Sequence, residues 1–202
     1  MQTKIQREQA PLRLDLPDAD VVYYGNLFSP EESNRLMQAL VANIRWKHEK
    51  ITIFGRQVWQ PRLTAFHGDP GRSYAYSNIS LDPDPWTAEL DFIKKRIENV
   101  SGQGFTSVLL NYYRDGQDSM GWHSDDEKEL GNNPVIGSVS FGSSRKFMLK
   151  HKRDKALRTS IVLENGSLLL MQGATQHHWY HQIPKTKKLV GARINLTLRK
   201  II

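Results

Sequence analysis

The stretch Arg193-Ile194-Asn195-Leu196-Thr197-Leu198-Arg199 alternates strictly between polar and apolar residues. Because successive side chains of a β-strand point to opposite faces, the four polar side chains share one face and the three apolar ones share the other. The sequence therefore predicts a strand that packs on a core and presents two guanidinium groups, Arg193 and Arg199, on its polar side. Two guanidiniums with no acid between them suit a dicarboxylate, since Arg binds carboxylates through paired hydrogen bonds.

Upstream of this strand, short β runs separated by turn residues are predicted at 106–113, 135–141, 146–150, 160–163 and 167–171. Two helices precede them. One starts at Ser29-Pro30-Glu31-Glu32, with a Ser cap and Pro in the first turn, and runs to near Arg45. The other starts after Pro85 and ends near Gly102. This order predicts an α+β protein, in which two helices from the N-terminal half pack on a jelly-roll core of two sheets.

Length and composition limit the possible classes of protein. A chain of 202 residues fits one domain, and we expect an irregular arm over 1–20 followed by a single domain over 21–202. The absence of cysteine excludes a disulfide scaffold, a thiolate nucleophile and a Cys-ligated metal. No apolar run is long enough to span a bilayer, so we expect a soluble intracellular protein, cytoplasmic or nuclear, with no membrane partner. The net charge of +7 is a mild indication of a polyanionic partner.

A candidate metal site lies in the triplet His123-Ser124-Asp125. Two imidazoles and one carboxylate can occupy one face of an octahedral metal and leave the opposite face open, as non-haem Fe(II) oxygenases require. Spacing alone does not identify the residue that provides the second imidazole, because His177, His178 and His181 lie close together in the sequence. On an extended segment His177 and His181 would share a face, and His178 would point away.

The chain resembles the AlkB family of Fe(II)- and 2-oxoglutarate-dependent dioxygenases, and within it the branch that repairs alkylated duplex DNA. The resemblance extends from about Phe54 to the end of the sequence. It rests on these segments: Ile53-Phe54-Gly55, Asn111-Tyr112-Tyr113-Arg114-Asp115-Gly116, Gly121-Trp122-His123-Ser124-Asp125-Asp126-Glu127, Ser138-Val139-Ser140-Phe141-Gly142, His178-Trp179-Tyr180-His181, and Arg193 to Lys200.

The resemblance implies a double-stranded β-helix over 105–202, with helices and nucleotide-recognition hairpins over 21–104. It selects His181 as the third metal ligand beside His123 and Asp125. Fe(II) and the co-substrates 2-oxoglutarate and O₂ are implied, and the group that holds 2-oxoglutarate consists of Asn111, Tyr113, Arg193, Asn195 and Arg199. Arg193 would pair with the carboxylate far from the metal, and Arg199 with the near one. The implied reaction is oxidative demethylation of N-alkylated bases of the 1-methyladenine and 3-methylcytosine type.

The resemblance also implies a monomer that acts on alkylated DNA, in a duplex from which the damaged base is flipped out. Phe54 would be the intercalating residue at the tip of a hairpin, Tyr74 and Tyr76 would contact the flipped base, and Glu127 would read its edge. A basic segment over residues 144–158 would grip the opposite strand. The expected substrate contacts are Arg145, Lys150, Lys152 and Arg153 of this segment, and Arg62 after the hairpin of Phe54.

Other interpretations of the same residues remain. The enzyme could act on RNA or on another modified nucleobase, or the chain could be a nucleic-acid-binding module without catalysis. A small-molecule hydroxylase would explain neither the hairpin at Phe54 nor the basic segment. Phe54 could also be an ordinary core residue, and Glu127 a solvated acid at a turn.

Overall fold

The computed structural model describes residues 10–202 except 54, 72–73 and 77–78, and it gives only the backbone of residues 53, 74–76 and 79–81. Two antiparallel sheets face each other across an apolar interior, and two helices cover the outer side of the larger sheet. This is the α+β jelly roll that the sequence predicts. None of the described helices is long and apolar enough to cross a membrane.

The larger sheet has seven strands and the smaller has four. The strands in chain order are β1 (Leu12–Arg13), β2 (Asp20–Tyr24), β3 (Lys50–Ile53), β4 (Arg56–Trp59), β5 (Leu63–Gly68), β6 (Tyr74–Tyr76), β7 (Ile79–Leu81), β8 (Ser107–Tyr113), β9 (Met120–His123), β10 (Ile136–Gly142), β11 (Arg145–His151), β12 (Arg158–Leu163), β13 (Ser167–Gln172), β14 (Trp179–Ile183) and β15 (Arg193–Arg199). The larger sheet has the order β1-β2-β13-β10-β15-β8-β5, and the smaller has the order β12-β11-β14-β9. Two hairpins, β3-β4 and β6-β7, complete the described strands.

The predicted alternation of β15 is confirmed. Its apolar residues Ile194, Leu196 and Leu198 belong to a buried cluster that they share with the two long helices. The polar side chains of β15 therefore face the space between the two sheets, where a second apolar cluster fills the rest of the interior. Every residue of β15 is buried, because β10 and β8 flank the strand on both sides.

The two long helices, α1 (Pro30–Asn43) and α2 (Ala88–Ser101), begin where the sequence predicts. Ser29 caps α1, since its hydroxyl accepts the Glu32 backbone N–H while the Glu32 carboxylate accepts the Ser29 N–H. Arg96 of α2 donates to the two carboxylate oxygens of Glu32 at 3.1 and 2.8 Å. Gly102 ends α2 in the left-handed conformation, which glycine adopts without strain.

The described part of the predicted N-terminal arm is not entirely irregular. Within residues 10–19, β1 pairs with β2, and Leu14 and Leu16 pack on the cluster between the sheets. The backbone carbonyl of Pro17 accepts the indole N–H of Trp179 at 2.9 Å. The few apolar residues of this segment did not reveal these contacts, because their partners lie far along the chain.

The two hairpins stand where the family resemblance expects substrate recognition. Gly55, directly before β4, has φ +74°, a conformation that glycine adopts readily. Phe54 itself lies outside the described residues, as do the side chains of Tyr74 and Tyr76 in β6. The roles expected of these three residues therefore stay predictions.

Candidate metal centre

His123, Asp125 and His181 come together at one end of the smaller sheet. His123 ends β9, Asp125 lies two residues beyond it, and His181 stands opposite His123 on the neighbouring strand β14. One ligand atom from each of the three residues lies within 4.8 Å of the others, a separation that a single metal ion can bridge. The structure thus assembles the two imidazoles and one carboxylate that the sequence predicts.

The other two candidate histidines do not join this group. His177 and His178 lie in the single helical turn α3 (Thr175–His178), so the expectation of one extended segment from 177 to 181 is wrong. Thr175 holds the turn, because its hydroxyl donates to the Gln172 carbonyl at 2.5 Å. The extended strand starts only at Trp179.

A hydrogen bond to His123 and ring contacts of His181 orient the two imidazoles. The Gly121 carbonyl lies 2.9 Å from Nδ1 of His123, which places the ring proton on Nδ1 and leaves the Nε2 lone pair available. The ring of His181 stacks on Phe147 at 5.2 Å between centroids and meets the His123 ring edge-on at 4.2 Å. Both rings are therefore fixed by their surroundings.

The charge states also fit a divalent cation. Burial, reinforced by the neighbouring His123, lowers the pKa of His181 to about 3, so this ring is neutral at physiological pH. Burial likewise lowers the pKa of His123. Burial alone would raise the pKa of Asp125, but Arg199 and the two imidazoles outweigh it and lower the pKa of this carboxyl below its ordinary value. Neutral imidazoles and an ionised carboxylate are the forms that bind metal.

Arg199 connects the metal ligands to β15. Its Nη2 donates to Oδ1 of Asp125 at 2.5 Å, while Oδ2 of the same carboxylate lies 3.6 Å from Nε2 of His181. Both partners of the ion pair are almost fully buried. Arg199 therefore fixes the orientation of the carboxylate, and its expected contact with the metal-proximal end of 2-oxoglutarate stays a prediction.

A cavity between the two sheets contains most of the residues expected to hold 2-oxoglutarate. Its polar lining includes Asn111, Tyr113, Asn195 and Thr197 as well as Arg199 and the three metal ligands. Its apolar lining comes from Leu109, Met120, Phe147, Met171 and Ile183. Asn195 is fixed by its side-chain N–H groups, which donate to the Ser138 hydroxyl and the Val139 carbonyl, both at 2.9 Å.

Arg193 lies just beyond this lining and is 1% exposed. Its Nη2 donates to the Ser140 hydroxyl at 2.9 Å, and its guanidinium carbon lies 5.1 Å from the centroid of the Tyr113 ring. Its Nε and Nη1 are buried and make no hydrogen bond of ordinary geometry within the described part of the chain. Burial lowers the pKa of Arg193 to about 10, although the Tyr113 phenol opposes this effect. A buried guanidinium with two nitrogens to satisfy suits a carboxylate ligand.

Three residues of the site were missed by sequence reasoning. Gln176 of α3 is completely buried, and its side-chain carbonyl accepts the backbone N–H of Asp125 at 2.9 Å. Ser138 and Ser140 accept hydrogen bonds from Asn195 and Arg193. The alternation Ser138-Val139-Ser140 was a usable signal, since it marks a strand whose small polar residues face the same side as those of β15.

The expected substrate contacts of Arg62 and Arg145 need correction. Arg62 is 3% exposed and donates from Nε to the side-chain oxygen of Asn111 at 2.6 Å, so it orients a cavity residue. Arg145 is equally buried and donates to three backbone carbonyls, those of Asp115, Asp118 and Pro184, at 2.7–3.0 Å. Its guanidinium therefore joins two loops, the one between β8 and β9 and the one after β14, and is not available to a phosphate.

The other expected substrate contacts lie at or near the surface. Glu127 is half-buried, and its Oε2 has no hydrogen-bond partner within the residues described. Lys150 and Lys152 are half-buried, and Arg153 is exposed. The Nζ of Lys152 lies 2.9 Å from the carboxylate of Asp126, next to the metal ligand Asp125. Lys152 thus lies beside the metal centre, and none of the three cations lines its cavity.

A second group of possible ligand atoms consists of Asp18, His151 and His178. The backbone N–H of Asp154 donates to Nδ1 of His151 at 3.0 Å. This bond leaves the ring proton of a neutral His151 on Nε2, which lies 3.5 Å from the carboxylate of Asp18. A protonated nitrogen cannot bind a metal, so this group fits a polar contact better than a metal site.

Comparison with known proteins agrees with this geometry. Residues 20–199 match the model of the 2OG-Fe(II) oxygenase superfamily. DNA oxidative demethylase ALKBH2 of Homo sapiens is 39% identical over 189 residues, which cover 89% of this chain and 72% of that protein. Alpha-ketoglutarate-dependent dioxygenase alkB homolog 3 of Homo sapiens is 37% identical over 190 residues, which cover 90% and 66%. The solved structure of OsALKBH1 shares the fold, with a TM-score of 0.69 at 15% identity, and the match covers 94% of this chain and 99% of that one.

Proposed function

Because the chain belongs to the 2OG-Fe(II) oxygenase superfamily, and is thus a dioxygenase that uses Fe(II), 2-oxoglutarate and O₂, we propose that it repairs DNA by oxidative demethylation of N-alkylated bases. When bound, Fe(II) with its co-substrates supplies the oxidation that hydroxylates the N-methyl group, so that formaldehyde, succinate and CO₂ leave and the unmodified base remains. The observation that carries the proposal is that one cavity is lined by both the His-Asp-His group and three polar residues of β15, Asn195, Thr197 and Arg199.

The residues of the chain have separate tasks in this proposal. His123, Asp125 and His181 hold the metal. Arg199 and Arg193 bind the two carboxylates of 2-oxoglutarate, with Asn111 and Tyr113 beside them. The apolar part of the cavity lining excludes water from the reacting groups. The protein thus contributes geometry and electrostatics, and no acid–base pair is required of it.

Alkylated DNA as the substrate is supported by two observations. The relatives named as DNA oxidative demethylases match along most of this chain, and the net charge of +7 suits a polyanion. We further propose that a duplex substrate is bound with its damaged base flipped out, because a base within the stack cannot reach a cavity between two sheets. In this proposal the protein acts as a monomer, since one chain provides all three metal ligands, and it is intracellular, where DNA lies.

A turnover assay tests the proposal. Purified protein is supplied with Fe(II), 2-oxoglutarate and O₂, and formaldehyde and succinate are measured with DNA oligomers that carry 1-methyladenine or 3-methylcytosine. We expect both products in equal amounts with methylated DNA, and no formaldehyde with the unmethylated oligomer or with the His123→Ala variant. Formaldehyde release from methylated RNA but not from methylated DNA would refute the assignment of DNA.

A further inference from the structure

Two large aromatic side chains lie exposed beside the metal ligands. Trp122, which directly precedes His123, is 37% exposed, and Tyr180, which directly precedes His181, is 36% exposed. Because His181 points into the cavity, alternation along β14 directs Tyr180 to the outer face of the smaller sheet. Neither ring belongs to the cavity lining.

Two lysines hold these rings on one surface. Lys150 stands opposite Tyr180 in the pairing of β11 with β14, and its Nζ lies 4.3 Å from the Trp122 ring and 5.6 Å from the Tyr180 ring. The Nζ of Lys152 lies 4.9 Å from the Tyr180 ring. We call these four residues, Trp122, Tyr180, Lys150 and Lys152, the outer platform.

The surroundings of the outer platform are basic. Lys146 and Arg158 lie exposed on β11 and β12 of the same sheet, and Arg153 follows Lys152 in the exposed turn after β11. Asp126 is near but is already paired with Lys152. Exposed aromatic rings among cations match what an unpaired nucleic-acid strand offers, namely base faces and phosphates.

We propose that Trp122 and Tyr180 stack on bases that flank the target nucleotide in an unpaired strand, while Lys150 and Lys152 neutralise its phosphates. This inference rests on the proposed function and extends it, because it gives the enzyme a way to hold single-stranded substrates. Trp122 and Tyr180 directly precede His123 and His181, so a nucleic-acid strand on the outer platform would pass over the outer face of β9 and β14, the two strands that carry these metal ligands.

The test compares the affinities of the wild type and its variants for undamaged strands, on which no turnover takes place. The iron- and 2-oxoglutarate-loaded protein is titrated without oxygen into a fluorescent oligothymidylate and into an abasic strand with the same number of phosphates. We expect the wild type to bind the strand with bases more tightly. Trp122→Ala should bind the oligothymidylate at least about fivefold more weakly than the wild type does, as expected when one stacked base is lost. Its affinity for the abasic strand should be unchanged. Trp122→Phe should retain most of the preference.

Phe92→Ala is the matched control, because Phe92 is also 37% exposed but lies on α2, which packs on the larger sheet. Thermal unfolding and titration of iron and 2-oxoglutarate establish that each variant is folded and loaded. If Trp122→Ala does not fold, Tyr180→Ala provides the same test. Equal losses on both strands, no loss on either, or a wild type that binds both strands equally would overturn the proposal.

The same proteins separate this inference from the proposed function. If the wild type prefers strands with bases through Trp122 but releases no formaldehyde from methylated strands, the platform stands and the demethylase proposal fails. If the wild type demethylates and Trp122→Ala binds single strands as the wild type does, the platform is wrong and the demethylase proposal stands.

Discussion

Replacing Arg193 by Met should make the ligand-free protein more stable and at the same time remove its stabilisation by 2-oxoglutarate. Arg193 is a buried cation of which only one nitrogen, Nη2, has a conventional hydrogen bond within the described chain. A buried cation of this kind lowers the free energy of unfolding as long as no anionic ligand is bound to it. Replacing a buried arginine that belongs to a carboxylate site should therefore raise the free energy of unfolding of the ligand-free protein, whereas replacing one that supports the fold should lower it.

The size of the effect follows from the contacts of Arg193. Its pKa falls from 12.5 to about 10, which corresponds to a penalty on the order of 3 kcal/mol for burying the charged form. Met would forfeit the contact with the Tyr113 ring, about 1 kcal/mol, and the bond to Ser140, about 1 kcal/mol. The free energy of unfolding of the ligand-free protein should therefore rise by about 1 kcal/mol.

The effect of 2-oxoglutarate should change in the opposite direction. For the wild type, 2-oxoglutarate at about 100 times its Kd should add about 2.7 kcal/mol to the free energy of unfolding. The variant lacks the charged hydrogen bonds to the distal carboxylate, which contribute about 1.5–3 kcal/mol each. Its Kd should rise at least about tenfold, so at the same concentration of 2-oxoglutarate about half or more of the added stability disappears. Arg193→Lys should also bind poorly, because an ammonium lacks the planar fork.

Chemical denaturation with and without 2-oxoglutarate, in the presence of Mn(II), measures both effects. Arg145→Met is the matched control. Arg145 is as buried as Arg193 and also lies near the Tyr113 ring, but it donates to three carbonyls. Its replacement should lower the free energy of unfolding by about 3 kcal/mol or more, since those carbonyls lose their donor. An Arg193→Met protein that is destabilised to the same extent, and still stabilised by 2-oxoglutarate, would refute the reasoning.

Three further predictions concern the metal ligands, their support and the hairpin. His123→Ala should abolish demethylation and leave the fold intact, whereas Asp125→Ala should also lose about 3–5 kcal/mol of stability, because Arg199 is then a buried cation without its carboxylate; undiminished formaldehyde release by either variant, in metal-depleted buffer with iron restored, would contradict the assignment. Gln176→Leu should weaken Mn(II) binding by about tenfold, since the backbone N–H of Asp125 loses its acceptor, and an unchanged Mn(II) titration would show that Gln176 does not position the ligand. Phe54→Ala should reduce turnover on duplex DNA far more than on single-stranded DNA, because only a duplex needs a side chain to replace the departed base; equal losses on both, or an unfolded protein, would mean that Phe54 is a core residue.

The elements that sequence analysis predicted well are those whose determinants are local. The alternation in β15 and the cap at Ser29 each depend on residues within a few positions of one another, and both are confirmed. The pair His123 and Asp125 is also local. For the third metal ligand, spacing alone did not distinguish between His177, His178 and His181. The family resemblance selected His181, and the pairing of β14 with β9 brings it opposite His123.

The errors concern residues whose surroundings are assembled from distant segments. Arg62 and Arg145 look like surface cations in the sequence, since an isolated Arg is usually solvated. Arg145 is buried because three carbonyls from two other loops converge on it, and Arg62 because Asn111 and the Ser119 carbonyl accept its N–H groups. No short pattern encodes such an arrangement. The turn at Thr175–His178 was missed for the same reason, since Thr175 also contacts Asp20.

The position of β15 in the larger sheet has a consequence for how the protein is made. The strand follows all six of its sheet partners in chain order, yet it lies between β10 and β8. Until it emerges from the ribosome, β10 on one side and β8 on the other each present an open edge, and such edges pair readily with other chains. Synthesis of Arg193–Arg199 thus joins the two halves of the sheet and brings both guanidiniums into the space between the two sheets in one event. We infer that a nascent chain gains its fold and its co-substrate site together, and that premature termination before β15 produces an aggregation-prone product rather than a folded, inactive one.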